Sequence, residues 1–466
     1  MLKLATLSTA PTIVIQDPYH EYGVQFIEHI FNRHGYRAIC FYTDDRERMR
    51  HDRSSAEWRS KYMAAAYKVA PSRIPEFADH LHAHHDVIAV VPFNEAAVIP
   101  AAELADRIGL GWAQSRVLRR FRDKLAMKQH LRRVAPTLRI NSSHGVRSTA
   151  EVLLLRTQER YQRFVLKPND GYGNQHIGLF GRDSPAALID AYMATLPDRN
   201  IVMEEYIGGT EYFVNGQIDA HGNVITFAIF EYVRLPANGR HNIDLETIVV
   251  RHGTPIFDRL VDYSERIMRA TALLRSPFHL ELKMDEQGPC LIEVAARLPG
   301  HGNALLSGEL HGSPLGLIEL ASHYYIDTAA FGMKLLDWTV YNSQAVRYVH
   351  GIAHKRERLY DLEGVTDVEA MPEFHRWVKK PTIGTRVERS VDCMSMPWSC
   401  ILKAPTESAA AAAADEVRRL IGWNRRVGAL KQVMWSVKLG LPRALARLRQ
   451  TLTRGPLKTD WGSGGT

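Results

Sequence analysis

The chain has 466 residues, an ordinary globular composition and a formal net charge of +8, which is enough length for two to four domains with cores of their own. No run of about 18 apolar residues occurs, so no spanning helix is expected, and the start MLKLATLSTAPTIVIQDP runs straight into a strand-like segment, unlike a signal peptide. The charge does not point to nucleic acid: eight Lys/Arg and no Asp/Glu fall between Arg425 and Arg454, and without them 51 basic residues face 51 acidic ones.

The first 115 residues alternate strand and helix. Thr12 to Ile15 reads as a strand, Val24 to Arg33 as an amphipathic helix, Ala38 to Tyr42 as a strand, Val87 to Val91 as a buried strand, and Glu103 to Ile108 as a helix. That alternation predicts a parallel α/β domain. Gln16-Asp17-Pro18-Tyr19-His20 replaces any G-x-G-x-x-G after the first strand, which argues against a dinucleotide fold. His82, His84 and His85 read as a solvent-facing loop, with no zinc grouping. A basic helix is expected over Arg116 to Arg133. Strands follow at Phe164 to Lys167, Ile201 to Glu204, Tyr212 to Ile218 and Val224 to Phe230, giving an α+β middle. Ala345 to Ala353, Val365 to Glu369, Thr385 to Val391 and Trp398 to Lys403 read as strands of a C-terminal β-rich module over 326–424, closed by a helix from Glu407 to Ile421. Residues 425–466 form a basic tail with leucines at helical spacing, either a solvated extension or a contact for a partner or membrane surface. Cys40, Cys290, Cys393 and Cys400 are scattered, as suits a reducing cytoplasm.

The chemistry concentrates in HLELKMDEQGPCLIEVAARLPGHG, from His279 to Gly302. Alternation over Phe278 to Met284, turn residues Glu286 to Pro289, and a second apolar run predict a hairpin. An odd-length turn centred near Gln287 would set Glu281 and Glu293 opposite each other on one face. Facing carboxylates repel. A divalent cation removes the conflict, and Arg297 nearby suits a phosphate; the alternative is an exposed acidic hairpin with chance spacing. Upstream, Lys167 ends a strand before the loop Asn169 to Gln175, whose glycines let backbone N–H groups approach phosphate oxygens. Glu204-Glu205-Tyr206-Ile207, with Glu211, is an acidic strand end that can serve a nucleoside.

Taken in order, Asp123-Lys124, Lys167-Pro168, Glu204 to Ile207 with Glu211, Glu281, and Glu293 with Arg297 resemble the layout of the ATP-grasp superfamily from about Arg116 to Tyr325. H-x-E-L-K followed by I-E-x-A-A-R is similar to the carboxylate–amine ligase branch, which includes bacterial L-amino acid ligases and carnosine-synthase-like enzymes. The resemblance implies an ATP-grasp domain over 116–325 with a lid at roughly 137–206. It implies ATP and Mg²⁺, with Mn²⁺ as a substitute. Lys124 and Lys167 would contact phosphates, Glu204 adenine, the backbone of Glu205 and Ile207 its edge, Glu211 ribose, Glu281 and Glu293 the metal, and Arg297 the γ-phosphate and acyl phosphate. His301 and Asn303 would line the acyl pocket, and Arg234, Arg240, His241 and Arg251 are candidates for a substrate carboxylate. Ala295 stands where many relatives place a metal-binding asparagine, and the phosphate loop has fewer glycines than usual. The implied reaction joins a carboxylate, through an acyl phosphate, to an amine, releasing ADP and phosphate. Its substrates are small molecules, amino acids above all, and a homodimer is compatible with it. The alternatives are a purine-biosynthesis or carboxylase-type enzyme, or a non-catalytic ATP-binding protein engaging a partner through the tail.

Overall fold

The computed structural model describes residues 8–424 apart from 20–21, 44, 111–113, 172, 174–175, 197–199, 301, 314 and 327–335. The 425–466 tail and His301 therefore lie outside the described residues. Four strands open the chain: β1 (Ser8–Gln16), β2 (Ala38–Tyr42), β3 (Met63–Lys68) and β4 (His85–Pro92). They form a parallel sheet in the order β3-β2-β1-β4. The apolar run Ile13 to Ile15 is fully buried because both faces are covered. Helix Gly23–His34 buries Phe26, Ile27 and Ile30 and stops at Gly35, whose φ of 73° closes the last turn. β3, MAAAYK, was not anticipated, since an alanine run carries little strand signal. His82 and His84 lie on the last turns of helix Ile74–His84 and His85 opens β4, so the expected loop does not exist.

The expected basic helix is two helices, Ser115–Arg122 and Lys124–Val134. Asp123 breaks it by capping the second: its carboxylate accepts from the Ala126 N–H at 2.8 Å. The break places Lys124 on the first helical turn, buried beside the site. Next comes a small antiparallel sheet of β5 (Ser143–Val146), β6 (Arg163–Pro168), β7 (Gly178–Gly181) and β8 (Ile201–Glu205), in the order β5-β8-β6-β7. Helices Thr149–Gln158 and Ala186–Met193 seal it over Val152, Phe164, Leu166, Ile189 and Met203.

The large sheet is antiparallel and has eight strands. β9 (Thr210–Ile218), β10 (Val224–Ala237), β11 (Arg240–Val249), β12 (Ser276–Asp285), β13 (Gly288–Ala295) and β14 (Ala345–His350) are joined by Ser399–Ala404 and Phe374–Lys379. The order is β13-β12-β9-β10-β11-β14, then Ser399–Ala404, then Phe374–Lys379. Within the C-terminal β-rich region β14, Ser399–Ala404 and Phe374–Lys379 extend the central sheet, while Glu357–Arg358 with Arg386–Val387 and Leu362–Glu363 with Gly422–Trp423 form two small sheets beside it. Val365–Glu369, expected as a strand, is a short helix started by Gly364 at φ 75°, and the expected strand at Thr385 to Val391 pairs only at Arg386–Val387. Helix Pro255–Thr271 packs Phe257, Leu260, Ile267 and Met268 into the main core.

The β12–β13 hairpin pairs Glu281 with Glu293, but not through an odd turn. Asp285 pairs with Gly288 across a two-residue loop, and the register then shifts by one between Leu282/Leu291 and Glu281/Glu293. Ile292 is the extra residue of a β-bulge, which restores the face of Glu293.

Candidate active site

One cavity of about 1200 Å³ opens between the N-terminal sheet, the small sheet and the large sheet. Lys124, Lys167, Glu204, Glu205, Ile207, Glu211, Glu281, Glu293, Arg297 and Asn303 all line it, although they are spread over 180 positions of sequence.

The carboxylate pair sits on the hairpin floor. Glu281 Oε1 accepts from Tyr232 Oη at 3.2 Å and lies 3.3 Å from His279 Nε2. His279 Nδ1 is 2.8 Å from Asn215 Oδ1, and the Asn215 amide nitrogen donates to Ser307, which fixes that amide's orientation. Burial would push the Glu281 carboxyl up, but His279, Arg234 and Tyr232 outweigh burial and hold it well below the usual carboxylate range. Glu293 Oε2 lies 3.5 Å from Lys124 Nζ. Among the described residues no three His, Cys, Asp or Glu side chains converge as a self-sufficient metal site. Two facing carboxylates, with Ala295 offering no donor, are a ligand set that fits Mg²⁺, and Glu281 and Glu293 would be the side chains that hold it.

Behind the phosphate end lies a buried triad that sequence reasoning missed. Glu204 sits 2.7 Å from Lys128 Nζ and 3.0 Å from Lys167 Nζ. Burial favours its neutral form, yet the two ammonium groups hold it down to about 2. Burial pushes Lys128 down to about 8, while Lys167 is raised because Glu204 and Glu293 overcome its burial. Glu204, expected beside adenine, thus has its carboxylate committed to orienting Lys167. The Glu205 N–H already donates to Ser142 O at 2.9 Å, and its carbonyl accepts from the Asn141 amide at 3.0 Å. Glu211, expected at ribose, pairs with Arg234 and lies 3.7 Å from Lys283.

Arg234 also holds Asp244 at 2.6 Å and stacks 4.1 Å over the Tyr232 ring, so its charge is used inside the site. Arg240 and His241 line the cavity at the β10–β11 tip; Arg251 does not, and it donates to Asn342 O at 2.7 Å. Arg297 is held by Glu95, which follows β4 and also lies 3.0 Å from Arg122. Burial raises the Glu95 carboxyl, but both guanidinium groups outweigh it and keep it ionised. Arg122 in turn donates to Asp170 O at 2.8 Å, and Lys124 donates to Gly171 O. Tyr172, Asn174 and Gln175 of the phosphate loop lie outside the described residues. Asn303 is 8% exposed, and its Oδ1 has no hydrogen-bond partner.

Residues 162–304 match the ATP-grasp domain family. A 156-residue stretch is 26% identical to dapdiamide A synthase of Enterobacter agglomerans and covers 32% of this chain and 36% of that one, so it spans little more than a third of that relative's length. The fold is similar to an L-amino acid ligase from Bacillus licheniformis, with a TM-score of 0.69 at 14% identity over 90% of this chain and 99% of the other. It is also similar to the biotin carboxylase domain of a Hydrogenobacter thermophilus 2-oxoglutarate carboxylase bound to MgADP, with a TM-score of 0.62 at 14% identity over 88% and 90%. At such identities the structural likeness establishes the fold. Residues 162–304 are thus an ATP-grasp domain, in a chain whose fold is similar to that of an L-amino acid ligase.

Proposed function

We propose that the protein is an ATP-dependent ligase that activates a small-molecule carboxylate as an acyl phosphate and joins it to an amine, releasing ADP and phosphate. The observation that carries this reading is the convergence of Glu281, Glu293, Lys124, Lys167 and Arg297 on one cavity. A carboxylate is a poor acyl donor because its leaving group would be oxide, so phosphorylation must come first. Mg²⁺ between Glu281 and Glu293 would supply charge neutralisation at the phosphates. Lys167, braced by Glu204, holds a fixed positive charge on the transferring group, and Lys124, whose ammonium reaches Glu293 and the Gly171 carbonyl just beyond β6, adds a second. Arg297, braced by Glu95, orients the acceptor carboxylate for attack on the γ-phosphorus and then steadies the acyl-phosphate oxygens. Ile207 and the Glu205 carbonyl, whose second lone pair remains, would meet the adenine edge, and Glu211 the ribose. The small sheet lies over this cavity and would exclude water from the activated acyl group. Amino acids are the favoured substrates, given the name of the L-amino acid ligase whose fold this chain shares. The test is incubation with ATP, Mg²⁺ and amino-acid pools: ADP release that requires both an acid and an amine supports the reading, and AMP with pyrophosphate overturns the acyl-phosphate route.

A further inference from the structure

Asp17 is not used in the proposed chemistry. It directly follows β1 at the carboxyl edge of the parallel sheet, is 3% exposed, and lines the cavity. The carboxyl ends of parallel strands, where the strand order reverses, are where open α/β sheets place ligands. Here the order β3-β2-β1-β4 reverses between β1 and β4, and Asp17 and Asn94 follow those two strands. Asp17 has a backbone φ of 50°, an uncommon conformation for a residue with a side chain and one that aims it off the strand path.

Its carboxylate is poorly satisfied. It accepts from Thr43 N and Thr43 Oγ1 at 3.3 Å and from the Asn94 and Gln16 amides at 3.4 Å, all long for charge-assisted bonds. Among the described residues no lysine, arginine or histidine forms an ion pair with it, and burial pushes its carboxyl up. Glu95, Glu204, Glu211 and Glu293, by contrast, each have a lysine or arginine partner. A second buried acceptor lines the same cavity: Asn303 Oδ1 lacks a partner, and the next residue donates its Ala304 N–H to Tyr22 Oη, in the segment that follows β1. Asn94, which touches Asp17, directly precedes Glu95, which holds Arg297. Arg46 and Arg50 line the cavity too, a mixture of charges that suits a zwitterion better than a simple cation.

We propose that this end of the cavity is the subsite for the α-ammonium group of an amino-acid acyl donor, with Asp17 as counter-charge and Asn303 Oδ1 as second acceptor. The inference rests on the ligase reading and names its acid as an amino acid. The α-ammonium is one carbon from the carboxylate that Arg297 would orient, and the Asn94–Glu95 peptide links the two anchors. Held by Asp17, the donor's amine keeps its proton and does not compete as a nucleophile for a second activated donor, so the attacking amine is that of the second substrate.

The experiment measures ADP release with Mg²⁺, ATP and the proteinogenic amino acid that gives the fastest rate, against the same acid lacking its α-amino group. Asp17→Asn, which keeps the shape, raises the KM for the amino acid by about 10- to 100-fold, the range for losing a buried charge-assisted bond. The KM for ATP and kinetics with the des-amino acid stay within about threefold, because neither contact is touched. Asn303→Leu shows the same selective loss and serves if Asp17→Asn lowers the yield of folded protein. Equal losses for both acids, or no loss for the amino acid in either variant, overturns the subsite. A native enzyme that uses des-amino acids as readily as amino acids overturns it while leaving the ligase intact. Absence of ADP release with every carboxylate instead sinks the ligase reading; calorimetric titration of amino acids into the ADP-bound protein then judges the subsite alone, and no binding refutes it.

Discussion

Replacing Glu95 by glutamine isolates what one buried carboxylate does for Arg297. In the native protein its two oxygens divide between Arg297 and Arg122, whose side chains are 19% and 21% exposed. Glutamine keeps the shape but loses the charge, and its NH₂ must then face one of two guanidinium groups. Breaking one side of a fully buried pair costs about 3–5 kcal/mol. Partial exposure of both arginines places this case at about 2–3 kcal/mol, which is roughly 30- to 150-fold in rate at 1.36 kcal/mol per tenfold. The assay is ADP release at saturating ATP. The loss falls on kcat, while the KM for ATP moves less than about threefold because Lys124 and Lys167 remain in place. Glu95→Asp recovers part of the rate. In an Arg297→Ala background the same substitution costs little, because Glu95 acts through that arginine. A fully additive loss in the double variant, or full kcat in Glu95→Gln, refutes the reasoning.

Other outcomes follow from the same geometry. Glu204→Gln strips both Lys128 and Lys167 of their counter-charge and destabilises the fold by about 3–5 kcal/mol, read as a lower urea midpoint. Because the Glu204 carboxyl is held at about 2, below its ordinary value of 4.5, its contribution is complete above about pH 4.5 and is lost as pH falls towards 2; thermal melts across that window decline in the native protein and flatten in the variant. Glu281→Gln removes half of the carboxylate pair and lowers ADP release by roughly a thousandfold, from several kcal/mol of lost charge stabilisation, while raising the Mg²⁺ needed for half-maximal rate. Gly216→Ala places a Cβ 2.4 Å from the Phe278 ring and 2.5 Å from Ile225 O, which pushes β12 off β9 and costs about 1–3 kcal/mol in a denaturation curve.

The hairpin could be read from the chain because alternation and turn residues are local signals, and its opposed carboxylates appear in the register. The bulge at Ile292 could not, because it depends on how two strands pair, and it was mistaken for an odd-length turn. Trp398 to Lys403 reads as a strand from its own residues, but those carry no information on its neighbours, so its place in the large sheet was invisible. Gly364 turned the β-branched run from Val365 into a helix. Lys128 was one of several basic residues on a helix; only its burial against Glu204 distinguishes it from them. Glu95 left no signal at all, since its partner Arg297 lies 202 residues away. Ordered spacing found the residues that face the cavity. The residues that brace them from behind come from distant elements, and folding alone reveals those.

The central claim is that this cavity phosphorylates a carboxylate and hands the acyl group to an amine. The most direct measurement uses a carboxylate substrate labelled with ¹⁸O in its carboxyl group, together with ATP, Mg²⁺ and an amine. Transfer of one labelled oxygen into the released inorganic phosphate, with ADP as the nucleotide product, is the predicted result. AMP as the nucleotide product, or unlabelled phosphate accompanying amide formation, would contradict it.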